Sequence, residues 1–252
     1  MSKFISNGFG VNGFGTAALL SGGGVPYYQK VLALSPIAYW PLWDAVGSAA
    51  AVDLMGLGNG TPSNVTFGVT GIGDGKTAAS CNGSNSLTNI YSAALASAFS
   101  GAAGTVFAWA QNDEWSGASY RRIFHFGADA SNQVFISRRG GVDNLLHYSY
   151  TAGGTAKTVA IDTAGPSGFF PVAITWDINA GANGEMRVYY NGSQAFATQT
   201  ALGTWSGSLA ATLAVIGSSS TSPSAIWSGD LAHIWTWNRA LTPTEISNLS
   251  NP

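Results

Sequence analysis

What this 252-residue chain has least of is charge: only 9% of its residues are Asp, Glu, Lys or Arg, against roughly 25% in an ordinary soluble domain. At 46% hydrophobic residues the chain still carries enough apolar material to fold. Its surface therefore falls to Ser, Thr, Asn, Gln and Gly. Those groups are cheaper to desolvate than carboxylates and ammonium groups, so much of the surface is expected to face another protein or a glycan. Basic residues are equally scarce. There are ten Lys and Arg, with Arg121-Arg122 and Arg138-Arg139 as the only adjacent pairs, and the net charge is -2. A phosphate backbone needs clustered cations, which excludes nucleic acid as an expected partner. One cysteine, Cys81, allows no internal disulfide. No apolar run near the N-terminus has signal-peptide length, and none approaches the roughly 20 residues of a spanning helix. The expectation is a soluble chain made in the cytoplasm, with no membrane insertion.

What is there begins with glycine. Residues 1–30 form one compositional unit containing a short repeat, Asn7-Gly8-Phe9-Gly10 and Asn12-Gly13-Phe14-Gly15, followed by Gly22-Gly23-Gly24. Asn-Gly steps favour turns, and a triple glycine reads as a hinge. Phe4, Phe9 and Phe14 are apolar anchors without a core of their own. The unit reads as an arm that docks on a neighbouring subunit, with folding back over its own domain as the alternative.

Residues 31–252 read as one all-β domain. Short apolar, β-branched and aromatic runs recur between Gly, Asn, Ser and Thr turns. Runs at 37–40, 105–109, 122–126, 133–136, 145–148, 171–176, 186–190, 212–216 and 231–237 are the expected strands. Asn191-Gly192 is expected to close a tight hairpin. Strands this numerous close into two packed sheets. Residues 91–99 are a short helix or an irregular turn. A clearer helix begins at Thr242, where Pro243 suits the first helical position, Glu245 completes a capping box, and Leu241 and Ile246 form a staple.

Four stretches together resemble the laminin-G-like domains of the concanavalin A-like superfamily. They are Ala38-Tyr39-Trp40-Pro41-Leu42-Trp43-Asp44 with the Asp53-Leu54-Met55-Gly56 turn, Thr105-Val106-Phe107-Ala108-Trp109, Val172 to Asp177 with Met186 to Gly192, and Gly229 to Thr242 with Glu245-Ile246. The resemblance implies an antiparallel β-sandwich jelly roll, here with an extended N-terminal arm and a short C-terminal helix. In the closing strand this chain departs from the family, with Ala232 and His233 where an acidic pair is usual. Strict alternation would put Leu231, His233, Trp235 and Trp237 on one face and Ala232, Ile234 and Thr236 on the other. Both faces are apolar, so His233, Trp235 and Trp237 are candidate partner contacts. The arm, of this chain or of another, is a candidate cover.

The superfamily includes glycosidases, whose chemistry needs two carboxylates roughly 5 to 9.5 Å apart across the scissile bond. This chain has no alternating acidic strand. Asp113-Glu114 are adjacent and would face opposite ways, so no enzyme is expected. His125 and His147 sit in apolar strands and read as packing residues. The resemblance admits calcium at the sandwich rim, for which Asp129 and Asp53 are the candidate ligands; no other cofactor is expected. It also implies lectin-like roles, for which Asn112, Trp115, Asn132 and Trp227 are the candidate glycan contacts on loops at one end. The leading expectation is a non-enzymatic structural component of a bacteriophage particle, a capsid-decoration or tail-associated protein located in the virion. Its partners would be copies of itself in a homo-oligomer or other virion proteins. The alternative is a carbohydrate-binding module for host or environmental surfaces.

Overall fold

The computed structural model describes residues 25–141 and 144–252. The expected anchors Phe4, Phe9 and Phe14 lie outside the described residues. The chain order is α1 (Tyr27–Leu32), β1 (Ala38–Trp40), β2 (Thr61–Ser63), β3 (Thr66–Thr70), β4 (Thr77–Asn82), β5 (Leu87–Asn89) and α2 (Ala93–Ala98). It continues through β6 (Ala103–Ala110), β7 (Arg121–Asp129), β8 (Asn132–Arg138), β9 (Leu145–Ala152), β10 (Thr155–Asp162), β11 (Phe170–Asp177) and β12 (Glu185–Tyr190). The last elements are β13 (Ser193–Gln194), β14 (Gln199–Thr200), β15 (Ala214–Ile216), β16 (Ser228–Trp237) and α3 (Pro243–Leu249).

The strands form two antiparallel sheets. A nine-stranded sheet runs β13-β12-β11-β6-β16-β4-β3, with β1 added beside β16 and β14 beside β12; a seven-stranded sheet runs β10-β9-β8-β7-β15-β5-β2. Alternation on each strand sends Val106, Ala108 and Ala110 of β6, Phe124 and Phe126 of β7, and Ile174 and Trp176 of β11 into one core between the sheets. The Asn191-Gly192 turn joins β12 to β13 with both residues at positive φ, 49° and 78°, the geometry that matches the strand twist. Thr242 and Glu245 form the expected capping box on α3, and Ile246 and Leu249 bury its apolar side.

The closing strand departs from the strict alternation expected of it. β16 lies at the middle of the large sheet, between β6 on one side and β4 and β1 on the other. It also carries a bulge. The register with β6 shifts between Ala232 and Trp235, and His233 takes a left-handed φ of 49°. An extra residue flips the alternation. Leu231 therefore joins Ile234 in the core between the sheets, while Ala232, Trp235 and Trp237 point outward.

That outward side is a second core. Tyr27 and Val31 of α1, one helical turn apart, and Leu241, Ile246 and Leu249 at α3 pack over Phe107, Trp109, Trp235 and Trp237. Trp235 stacks on Phe107 with ring centroids 4.9 Å apart. Trp109 Nε1 donates to the Tyr27 hydroxyl at 2.7 Å, and that hydroxyl donates to the Leu249 carbonyl at 2.5 Å. His233, Trp235 and Trp237 are all buried inside the chain. Their cover is the chain's own α1 and α3, so these side chains offer no surface to a partner.

Candidate binding groove on the large sheet

α1 and α3 cover only part of the outer face. Beyond Trp109 the face opens into a groove of about 680 Å³, within the usual size for small-ligand sites. Its floor comes from β6 and β16. Alternation carries Phe107, Trp109 and Gln111 outward along one strand and Ala232 and Asp230 outward along the other. Gln111 and Asp230 face each other directly, exchanging backbone hydrogen bonds at 2.8 and 3.0 Å. Their side chains thus stand together on the groove side. Ala78 and Ala232 leave the floor low beside them.

The walls are loops. One is the β3–β4 hairpin, with Thr70, Gly71, Ile72 and Gly73; the other is Gly168-Phe169 before β11. Ile72 and Phe169 are half-buried and pack on the outer core. The hairpin wall carries Asp74, whose carboxylate oxygen lies 3.2 Å from His233 Nε2. On the other side of that ring, Nδ1 lies 2.6 Å from the Tyr39 hydroxyl. A carboxylate only accepts and a phenol can donate, so the neutral imidazole with its proton on Nε2 satisfies both neighbours. Burial holds His233 below the ordinary histidine range, in keeping with that neutral form. Gly229, at φ 129°, lets β16 approach β6 beside Asp230: a Cβ there would stand 2.2 Å from the Gln111 carbonyl oxygen.

Burial raises the Asp230 carboxyl above its ordinary range; Ser80 hydrogen-bonds it in opposition, and Asp113 raises it further. The groove thus sets apolar surface from Phe169, Ile72 and the edge of Trp109 beside an amide and a carboxyl. A sugar ring presents the same combination, an apolar C–H face and hydroxyls that donate and accept.

The residues expected to contact a glycan do not meet here. Trp227 is buried and its Nε1 donates to the Gln111 carbonyl at 3.0 Å. Asn112 is buried and caps Glu114 N–H. Trp115 packs on Phe170 and donates to the Pro166 carbonyl at 2.9 Å. Asn132 lies at the far end of β8, where its side chain binds the Ser206 and Gly153 amides. Each of the four thus has packing or hydrogen-bonding work within the fold, away from the groove. The candidate calcium ligands Asp53 and Asp129 are hydrogen-bonded within their own loops. Each Asp53 oxygen accepts two backbone N–H groups, from Tyr39 and Met55 on one and Leu57 and Gly58 on the other. Asp129 Oδ1 accepts from Ser131 N and Asn132 Nδ2. Among the described residues, no group of three His, Cys, Asp or Glu is placed to hold a metal ion. Sequence reasoning missed Gln111, Phe169, Ile72 and Asp230. The only signal for them was the alternation through Phe107, Trp109 and Gln111, which names a face but not its neighbours.

Residues 82–247 match the family described as the concanavalin A-like lectin/glucanases superfamily, and the chain belongs to it. A search of the curated proteins finds no match. Among solved structures, the chain is similar to the botulinum neurotoxin serotype D ligand binding domain in complex with N-acetylneuraminic acid (16% identity, TM-score 0.61, covering 86% of this chain and 50% of that one). It is also similar to the receptor binding domain of botulinum neurotoxin D (15% identity, TM-score 0.60, 86% and 52%). A third is domain 4 of AbnA, an extracellular arabinanase from Geobacillus stearothermophilus, in complex with arabinotriose (18% identity, TM-score 0.54, 86% and 98%). The chain spans about half the length of the two toxin domains. These comparisons correct the expectation of a capsid-decoration or tail protein of a bacteriophage. That reading rested on analogy, and these three similar structures are toxin binding domains and a sugar-bound domain instead.

Proposed function

We propose that this protein is a non-catalytic carbohydrate-binding module whose sugar site is the groove over β6 and β16. The observation that carries the reading is the side-by-side placement of Gln111 and Asp230 against the apolar surface of Phe169, Ile72 and Trp109. Apolar surface binds the C–H face of a sugar ring and a few placed polar groups fix its hydroxyls. The superfamily membership supports this reading, as does the likeness to a domain whose structure holds arabinotriose. Glu114, of the adjacent acidic pair, is ion-paired to Arg121; elsewhere Glu185 is ion-paired to Arg187 and Asp177 accepts the Asn179 amide.

The test is calorimetric titration with a panel of neutral oligosaccharides, arabinotriose included, on the full chain and on Phe169→Ala and Gln111→Ala. Saturable binding of at least one oligosaccharide, weakened about tenfold or more in both variants, is the expected result. Binding that both variants leave unchanged would move the site elsewhere; no binding across the panel would overturn the reading.

A further inference from the structure

The outer face of the seven-stranded sheet carries a different kind of chemistry. Cross-strand register sets Arg122 of β7, Ser137 of β8 and His147 of β9 in one row. Arg139 follows Ser137 by two residues, so it stands on the same side. The Arg122 guanidinium lies flat over Phe135, 3.8 Å from the ring centroid, a stacking that fixes its plane.

No carboxylate pairs with Arg122 there. Its Nη1 is 2.8 Å from His125 Nδ1. That nitrogen also lies 2.5 Å from the Ser219 carbonyl oxygen, which can only accept, so Nδ1 carries the proton and presents an N–H to the guanidinium. The ion pairs among the described residues use Arg121, Arg187, His233 and Arg239, and neither Arg122 nor Arg139 has one. Burial without a compensating charge pulls the Arg122 guanidinium down to about 10. Asp162, on the same face at the end of β10, is separated from Arg139 by β9 and accepts the Ala164 amide. Two further polar atoms are unpartnered in the same row. Ser137 is fully buried with its Oγ unbonded, and His147 Nδ1 is buried and unbonded. A half-buried cation, a free hydroxyl and a free imidazole nitrogen side by side are costly unless something binds them.

We infer that this face is a second binding site, separate from the groove, which takes a carboxylate-bearing ligand at Arg122 and Arg139 over Ser137. The planar guanidinium fork matches a planar carboxylate. The half-buried His147 imidazole stands beside the arginines, above the buried Ser137 hydroxyl. Tyr120, exposed and with its ring 6.0 Å from His147, flanks the site. A sugar acid and a simple carboxylic acid share this chemistry.

The experiment is an NMR titration of the imidazole signals of the full chain with sodium galacturonate, sodium acetate and neutral galactose, at constant ionic strength set with sodium chloride. Saturable shifts at His147 are expected with galacturonate, and the His147 protonation midpoint should rise, since a bound anion favours imidazolium. Arg122→Gln and Arg139→Gln should each weaken binding about tenfold or more, and Phe169→Ala in the groove should leave it unchanged. Acetate binding as tightly as galacturonate supports recognition of the carboxylate alone; galacturonate binding more tightly supports a sugar acid. The inference is overturned if neither carboxylate saturates, if galactose shifts His147 equally, or if Phe169→Ala abolishes the effect. Wild-type affinity in a folded Arg122→Gln would overturn it too; should that variant not fold, Arg139→Gln, at the end of β8, decides in its place.

Discussion

The outer faces of the two sheets start from the same alternation of side chains and end in different states. On the nine-stranded sheet the outward positions of β6 and β16 are Phe107, Trp109, Trp235 and Trp237, and two short helices close over them. On the seven-stranded sheet the outward positions of β7 to β9 are Arg122, His125, Ser137 and His147 beside a lone Phe135, and no described helix packs there. Aromatic surface of the first kind costs too much to leave in water, so α1 and α3 cover it, and among the described residues a groove stays open beside them. Polar surface of the second kind needs partners rather than cover, and several of its atoms have none. The two outer faces of this sandwich thus differ in how they are finished, one covered by packed helices beside an open groove and one left polar.

The largest effect that tests this contrast is Trp235→Ala, which removes a fully buried ring between Phe107 and Tyr39. It should cost about 3–5 kcal/mol in chemical denaturation. Tyr120→Ala on the opposite face should change stability by no more than about 0.5 kcal/mol; equal losses would break the comparison.

Acid should act through histidines on both faces. Desolvation first, then Arg122, holds His125 down at about 4, and burial lowers His147 and His233 as well. Below pH 6.5 the unfolded chain takes up protons that the folded chain refuses, so stability is full above that pH and falls as pH drops toward 4. At about 1.4 kcal/mol per pH unit, the His125 contribution is about 3 kcal/mol. Denaturation midpoints from pH 7 to 4 should show the decline, and His125→Gln should flatten part of it; an unchanged slope would remove His125 as a cause.

Tyr27→Phe deletes a hydroxyl that bonds both Trp109 and Leu249. A loss of about 2 kcal/mol is expected, together with faster amide exchange across α1 if that helix is held by this contact. The smallest effect is Thr242→Ala, which removes the hydroxyl half of the α3 capping box and should cost about 1 kcal/mol. Glu245, held down at about 2 chiefly by Arg239, keeps its charge in that variant at neutral pH, so a loss well above that value would mean α3 contributes more to the outer core than its cap.

Part of this was legible without coordinates. Aromatic and β-branched runs marked the strands at 105–109, 171–176 and 231–237, and local chemistry located the Asn191-Gly192 hairpin and the α3 cap. β4 and β10 were not visible: Thr77–Asn82 and Thr155–Asp162 are rich in Ala, Thr and Ser, whose weak preferences are settled by pairing with β16, β3 and β9. Helix α1 was hidden inside a stretch read as an arm, because its two buried residues, Tyr27 and Val31, have meaning only against Trp109 and Trp235.

By itself the sequence determined the all-β class, the family, the turn and cap chemistry, and the poverty of charge. These are local or compositional properties, carried by residue type and short spacing. Tertiary structure alone decided which aromatics are covered. It also placed the bulge at His233, joined Gln111 to Asp230 across 119 residues of chain, and set Arg122 in a row with Ser137 and His147. Each of these depends on register between strands distant in sequence, and a shift of one residue exchanges every side chain between the two faces of a sheet.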